Sequence, residues 1–213
     1  MVITTAPEPA AGEAYRGQAG RYDRRTEAFQ QCRERLVALL PARPGDTVLD
    51  VGCGAGLCFP LLRDKVGPTG TIIGIDASEQ MLRLAREKVT TRGWDNVRLL
   101  QAPAEHAPID GLADAALFCA VHDVLQSRAA LSRVFRHLRP GAAVAAGGGK
   151  WPGPLLQPWR GWVTAVHAPF VADFAGFDKP WRLLTEFVPD LRVHELALGA
   201  GYLAVGHHTP TPR

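Results

Sequence analysis

Apolar positions along the chain alternate between two rhythms. Short unbroken runs occur at TVLDVG (47–52), TIIGID (71–76), NVRLLQA (96–102), ADAALFCAV (113–121) and AAVAAGG (142–148). Such runs, bounded by turn residues, predict strands buried on both faces. Between them the apolar residues recur at helical spacing. Phe29, Cys32, Leu36, Val37 and Leu40 share one face of a helix over about 24–40, which Pro41 and Pro44 end. Residues 57–66 predict a helix stopped by Gly67 and Pro68. Ser78 is an N-cap for a helix that aligns Met81, Leu82, Ala85 and Val89. Leu131, Val134, Phe135 and Leu138 mark another, with Pro140-Gly141 as its stop. LRVHELAL (191–198) and GYLAVGHH (201–208) flank a tight Gly-Ala-Gly turn and predict a hairpin.

Regular alternation of strand and helix implies a mostly parallel sheet covered on both faces. The fold class expected is α/β: a doubly wound, Rossmann-like, seven-stranded sheet with a C-terminal antiparallel hairpin. The Ala/Pro/Glu-rich residues 1–14 are expected to be a disordered tail, and 15–213 a single domain.

Composition narrows the function classes. The chain is 46% hydrophobic and 21% charged, with a net charge of +3, an ordinary globular balance. The arginines at 16, 21, 24, 25, 33 and 35 are interleaved with Asp23, Glu27 and Glu34. That mixture predicts a solvated helix face and no nucleic-acid partner. No apolar stretch is long enough to span a bilayer. The N-terminus lacks the basic and apolar regions of a signal peptide. Cys32, Cys53, Cys58 and Cys119 form no CxxC pair and no zinc pattern, so no metal and a reducing, cytoplasmic setting are expected.

The chemistry is concentrated in VLDVGCGAG. Asp50 precedes a strand-to-helix turn in which Gly52, Gly54 and Gly56 occupy alternate positions. Ligands of doubly wound sheets bind beyond the strands' C-terminal ends, and glycines there let a ligand reach the backbone. Leu57 occupies the place where a dinucleotide fingerprint needs a third small residue, and no P-loop lysine follows. An acid at this point repels a pyrophosphate and suits a cationic ligand. Asp76 ends the second strand 20 positions beyond Gly56, where a carboxylate takes both hydroxyls of a ribose. A cationic end plus a ribose describes S-adenosylmethionine.

The sequence resembles class I S-adenosylmethionine-dependent methyltransferases, of the small-molecule type seen in ubiquinone-pathway enzymes. The resemblance runs over about 15–147 through VLDVGCGAG, GIDAS, QAPAEHAP, ADAALFCAVHDV and LRPG in order, with GRYDRR (20–25) similar to an element whose Tyr closes over the cofactor. It implies cofactor contacts from Tyr22, Asp50, Gly52, Cys53, Gly54, Gly56, Asp76, Ala77, Met81, Ala104, Glu105 and Cys119. Pro103 departs from the pattern, since relatives often carry an adenine-binding Asp there and proline offers neither carboxylate nor N–H. Adenine recognition then falls to Ala104, Glu105 or apolar contact.

His122 and Asp123 follow the fourth strand, where a methyl acceptor should sit, and are the catalytic candidates. Lys150 reads more readily as a surface lysine than as part of that mouth. Trp151, Trp159, Trp162, Trp181, Phe170, Phe174 and Phe177 crowd residues 150–188. The resemblance makes that segment a substrate-covering insertion; its aromatics form either a small core of their own or a wall for an apolar or aromatic acceptor. The expected activity is methyl transfer to an O, N or C nucleophile of a small molecule, by a monomer or homodimer. An NAD-dependent oxidoreductase and a non-catalytic S-adenosylmethionine-binding protein are the competing readings.

Overall fold

The computed structural model describes residues 29–168, 171, 173–196 and 199–209. The tail 1–14, Tyr22 and Phe170 lie outside these residues. The elements are α1 (Gln30–Leu39), β1 (Thr47–Val51), α2 (Phe59–Val66), β2 (Thr71–Asp76), α3 (Glu79–Thr91), β3 (Val97–Gln101), β4 (Ala113–Cys119), α4 (His122–Gln126), α5 (Arg128–Phe135), β5 (Leu138–Gly149), α6 (Arg160–His167), β6 (Arg192–Leu196) and β7 (Gly201–His207). One seven-stranded sheet has the order β3-β2-β1-β4-β5-β7-β6. Its first five strands run parallel, and β7 pairs antiparallel with both β5 and β6. All seven expected strands are therefore present.

The period-two alternation of side chains divides the core into two layers. Val48, Ile72, Ala115, Leu117, Ala143 and Ala145 meet Leu36 of α1, Phe59 and Leu62 of α2 and Leu82 of α3. Their neighbours Leu49, Ile73, Ala116, Phe118, Val144 and Ala146 meet Leu125 of α4 and Leu131, Val134 and Phe135 of α5. Both faces are thus covered, which is what continuous apolar strands require. β1 pairs with β2 on one side and β4 on the other. Strand order reverses there, which opens the crevice where such sheets hold ligands.

Local signals set the element ends. The Ser78 hydroxyl accepts from Met81 N to cap α3, and Ser127 caps α5 in the same way. α2 begins with Pro60 in its first turn and ends at Gly67 with φ of 65°, the usual asymmetry of helix ends. Pro140-Gly141 is not the helix stop that the sequence suggests. α5 ends at Phe135, and Leu138 already pairs with Ala113 in β5. The register then jumps to Ala115 opposite Ala143. Residues 139–142 accommodate this bulge: Pro140 has no N–H to give to a ladder, and Gly141 turns with φ of 79°.

Phe59 is the wedge beneath the sheet's C-terminal edge. A Cβ on Gly56 would fall 2.5 Å from its ring, and one on Gly74 2.7 Å. The ring is fully buried, so Phe59→Ala should cost about 3–5 kcal/mol through lost transfer energy and the remaining cavity. Urea denaturation checks this, with the midpoint falling and the slope unchanged.

Candidate active site

The glycine turn is a backbone device before it is a ligand site. Gly52, Gly54 and Gly56 have φ of 68°, 53° and 73°, a region where side-chain-bearing residues are strained. Gly52 N and Cys53 N both donate to Ile75 O, at 2.7 and 3.0 Å. A Cβ on Gly52 would lie 2.3 Å from Val121 Cγ1. Two of the three glycines thus make room for the protein's own Val121 and Phe59, a purpose the sequence pattern does not disclose.

Asp76 ties the turn to the next strand. Its Oδ2 accepts from Gly54 N at 2.8 Å, and its Oδ1 accepts from Ser78 N at 2.8 Å. Ala102 N donates to Asp76 O at 3.1 Å, holding the end of β3 alongside. Asp50 differs. It is 1% exposed, and its Oδ2 has no hydrogen-bond partner. Burial, and then the Asp76 charge, push its carboxyl up to about 7. Burial also raises Asp76, against the two N–H groups that favour its charge, and Asp123 adds to the rise. Among the described residues, the charges acting on this pair are acidic.

The remaining cofactor candidates lie at or just beyond the C-terminal ends of β1 to β4. Cys53 is buried, and Met81 is 2% exposed at the start of α3 beside half-buried Ala77. Half-buried Cys119 ends β4. Ala104 is buried in the short 3-10 turn Ala104–His106, which exposed Pro103 precedes. Glu105 is half-buried and faces a groove of about 750 Å3 that Phe135, Phe187 and His208 also line. Asp50, Asp76 and His122 do not line that groove. No group of His, Cys, Asp or Glu among the described residues could hold a metal ion.

His122 starts α4, after Ala120 turns the chain with φ of 57°. Its Nε2 lies 2.9 Å from Ala175 O. A carbonyl can only accept, so Nε2 carries the proton. Burial lowers the imidazole below its ordinary value, although Ala175 and nearby acids oppose this. The ring is therefore neutral near pH 7, and Nδ1 is an unprotonated, buried nitrogen without a partner. Asp123 beside it is exposed.

Residues 150–188 form an aromatic cluster centred on Phe177, which is 1% exposed. Its ring meets His122 at 5.0 Å, Phe174 at 5.0 Å, Trp151 at 5.1 Å and His167 at 5.4 Å, all near edge-on. Not every tryptophan joins in. Trp181 packs on Tyr202 at 4.8 Å as part of the sheet's core, whereas Trp159 and Trp162 are 59% and 60% exposed. Lys150 is not a surface residue: it is buried, donates to Trp151 O and Gly199 O, and lies 3.1 Å from Glu195 Oε1. It fastens the start of this segment to the β6–β7 hairpin. Sequence reasoning named Phe177 among the aromatics of 150–188 without its place against His122, and it missed His167 and Val121, because only the tertiary fold brings these residues to His122 and Gly52.

The sheet order and crevice define the fold of S-adenosylmethionine-dependent methyltransferases. A methyltransferase of this kind from Aquifex aeolicus superposes with a TM-score of 0.63 at 22% identity, over 90% of this chain and 97% of that one. Residues 48–141 match the family model described as "Methyltransferase domain". It is 35% identical to nocamycin O-methyltransferase of Saccharothrix syringae over 66% of this chain and 51% of that protein. It is 32% identical to demethylmenaquinone methyltransferase of Listeria monocytogenes over 53% of this chain and 48% of that one. The chain thus spans about half the length of these relatives. No helix among the described residues is long and apolar enough to cross a membrane.

The acid pair has a signature in stability. A carboxyl raised in the folded state binds its proton more tightly there than in the unfolded chain. Its stabilising contribution is complete below the unfolded value near pH 4 and is lost as the pH rises to about 7. Without ligand, wild type should therefore weaken over that interval relative to Asp50→Asn. Urea denaturation of both proteins at several pH values measures the difference, which should level off above pH 7.

Proposed function

We propose that this chain transfers a methyl group from S-adenosylmethionine to a small-molecule acceptor, with an oxygen nucleophile favoured. The observation that carries this reading is the buried Asp50 carboxyl, its Oδ2 without a partner, beside Asp76 at the reversal point of the sheet. Such a pair is costly unless a cation lies near it. Asp50 would face the cationic amino-acid end of the ligand, Asp76 its ribose, and Ala77, Met81, Ala104 and Glu105 its adenosine portion. When bound, S-adenosylmethionine supplies an electrophilic methyl group on a positively charged sulfur.

His122 holds and removes the acceptor's proton. Its Nδ1 has the lone pair and no competing donor, while Nε2 is fixed to Ala175. Phe177 and its neighbours keep water from that nitrogen and offer apolar surface to an acceptor. Four cysteines without a disulfide among the described residues suit a reducing compartment.

S-adenosylhomocysteine should bind in calorimetry, and Asp76→Ala should weaken it at least about tenfold. No binding at millimolar ligand would overturn the reading. In thermal-shift assays S-adenosylhomocysteine should stabilise the protein and NADH should not, because Leu57 and Asp50 oppose a dinucleotide. Against a panel of phenolic and enolic acceptors, His122→Gln should lower kcat about 100-fold with S-adenosylhomocysteine affinity unchanged. The wild-type acid limb of kcat/KM should fall below the ordinary histidine value, since burial lowers this imidazole, and the variant should lack that limb.

A further inference from the structure

A second imidazole stands beside His122 at the end of the sheet. His167, the last residue of α6, meets the Phe177 ring at 5.4 Å, and His122 meets the same ring at 5.0 Å. Phe29, ahead of α1, lies 6.0 Å from His167 between ring centroids. Gly149 ends β5, and a Cβ there would fall 2.4 Å from both His167 Nε2 and Cε1. Glycine at this position therefore seats the imidazole against the sheet edge. A Cβ on the preceding Gly148 would lie 3.5 Å from Ala120 Cα, and Ala120 begins the turn into His122. The adjoining ends of β4 and β5 thus present both histidines along one edge. His167 is half-buried, and neither of its ring nitrogens has a hydrogen-bond partner among the described residues. Burial lowers its imidazole below the ordinary value, and His122 adds to this. At neutral pH the ring is uncharged, with one N–H to give and one lone pair to offer.

We propose that His167 is an acceptor-binding residue, which hydrogen-bonds a second oxygen on the planar ring whose hydroxyl His122 deprotonates. This rests on the methyl-transfer reading above and names the acceptor class: a ring that bears two oxygens, in preference to a simple phenol. Phe177, with Trp151 and Phe174 packed on it, supplies the apolar surface. His122 Nδ1 is the one buried nitrogen left for the reacting hydroxyl. His167 is then the polar group that a phenol leaves without a partner and a second oxygen satisfies. A site whose polar groups match a substrate's oxygen selects against the analogue that lacks it.

Calorimetry of the full chain with phenol, catechol, resorcinol and hydroquinone, with and without S-adenosylhomocysteine, tests this. At least one diphenol should bind about three- to tenfold more tightly than phenol, the worth of one added hydrogen bond. His167→Phe, checked for an unchanged melting temperature, keeps a ring against Phe177 and should bring diphenol affinity down to that of phenol. His167→Gln keeps a donor and an acceptor and should recover part of the preference. Gly149→Ala should mimic His167→Phe, because its methyl displaces the imidazole. In turnover, His167→Phe should raise KM for the diphenol more than it lowers kcat, the reverse of His122→Gln. No diphenol bound more tightly than phenol, or a preference that survives His167→Phe, would overturn the inference. Diphenol selection through His167 in a protein that does not bind S-adenosylhomocysteine would uphold the acceptor site and count against the cofactor reading. Cofactor binding without any choice that depends on His167 would overturn this inference alone.

Discussion

Repulsion between the buried Asp50 and the half-buried Asp76 sets the terms for this fold's functional edge. Asp50 pairs with Gly74 across β1 and β2, so Asp76 follows only two residues beyond its partner. The sheet register therefore forces the acids together, and the layers that hold the register are apolar throughout. The turn relieves one acid by giving the Gly54 and Ser78 N–H groups to Asp76. It offers nothing to Asp50 Oδ2. A buried polar atom left unsatisfied costs about 1–3 kcal/mol, which the hydrophobic layers can bear and a cationic ligand would return.

The turn and the catalytic candidate are mechanically one unit. Val121 fills the space that a Cβ on Gly52 would need, and His122 is its chain neighbour. Any movement of the glycine turn is thereby felt at the start of α4. From the other side, the Ala175 carbonyl fixes His122 Nε2, and Phe177 meets its ring. The imidazole is thus gripped between the sheet and the aromatic segment, with one nitrogen left over. That division of its two nitrogens is how such a side chain becomes a base of defined orientation.

Much of this was legible in the sequence, for identifiable reasons. Continuous apolar runs define parallel strands without reference to anything distant, so the sheet and its closing hairpin could be read directly. Asp50, the three glycines and Asp76 could be placed together because strand-turn-helix geometry is local and the next strand adjoins. The Pro140-Gly141 boundary was misread: proline and glycine end helices and also sit in bulges, and only pairing with Ala113 separates the two. Lys150 looked like a surface residue because its acceptors, Gly199 O and Glu195, are contributed from far along the chain. Of the aromatics the sequence singles out, Trp151, Phe174 and Phe177 form the cluster, whereas Trp181 went to the core, and Trp159 and Trp162 to the surface.

These placements suggest how the molecule divides its tasks. Strands β1 to β4 and the turns that follow them carry the acids, the glycine turn and Val121. A Cβ at Gly52 has no room at all. The aromatic segment meets that half at His122, by one hydrogen bond and one ring edge, at Gln126, which donates to Pro180 O, and through Leu184 and Val188 in the layer of Leu49 and Phe118. A further anchor lies at Lys150 and the hairpin. Within the segment, Phe177 and the Ala175 carbonyl are the groups that touch the His122 ring.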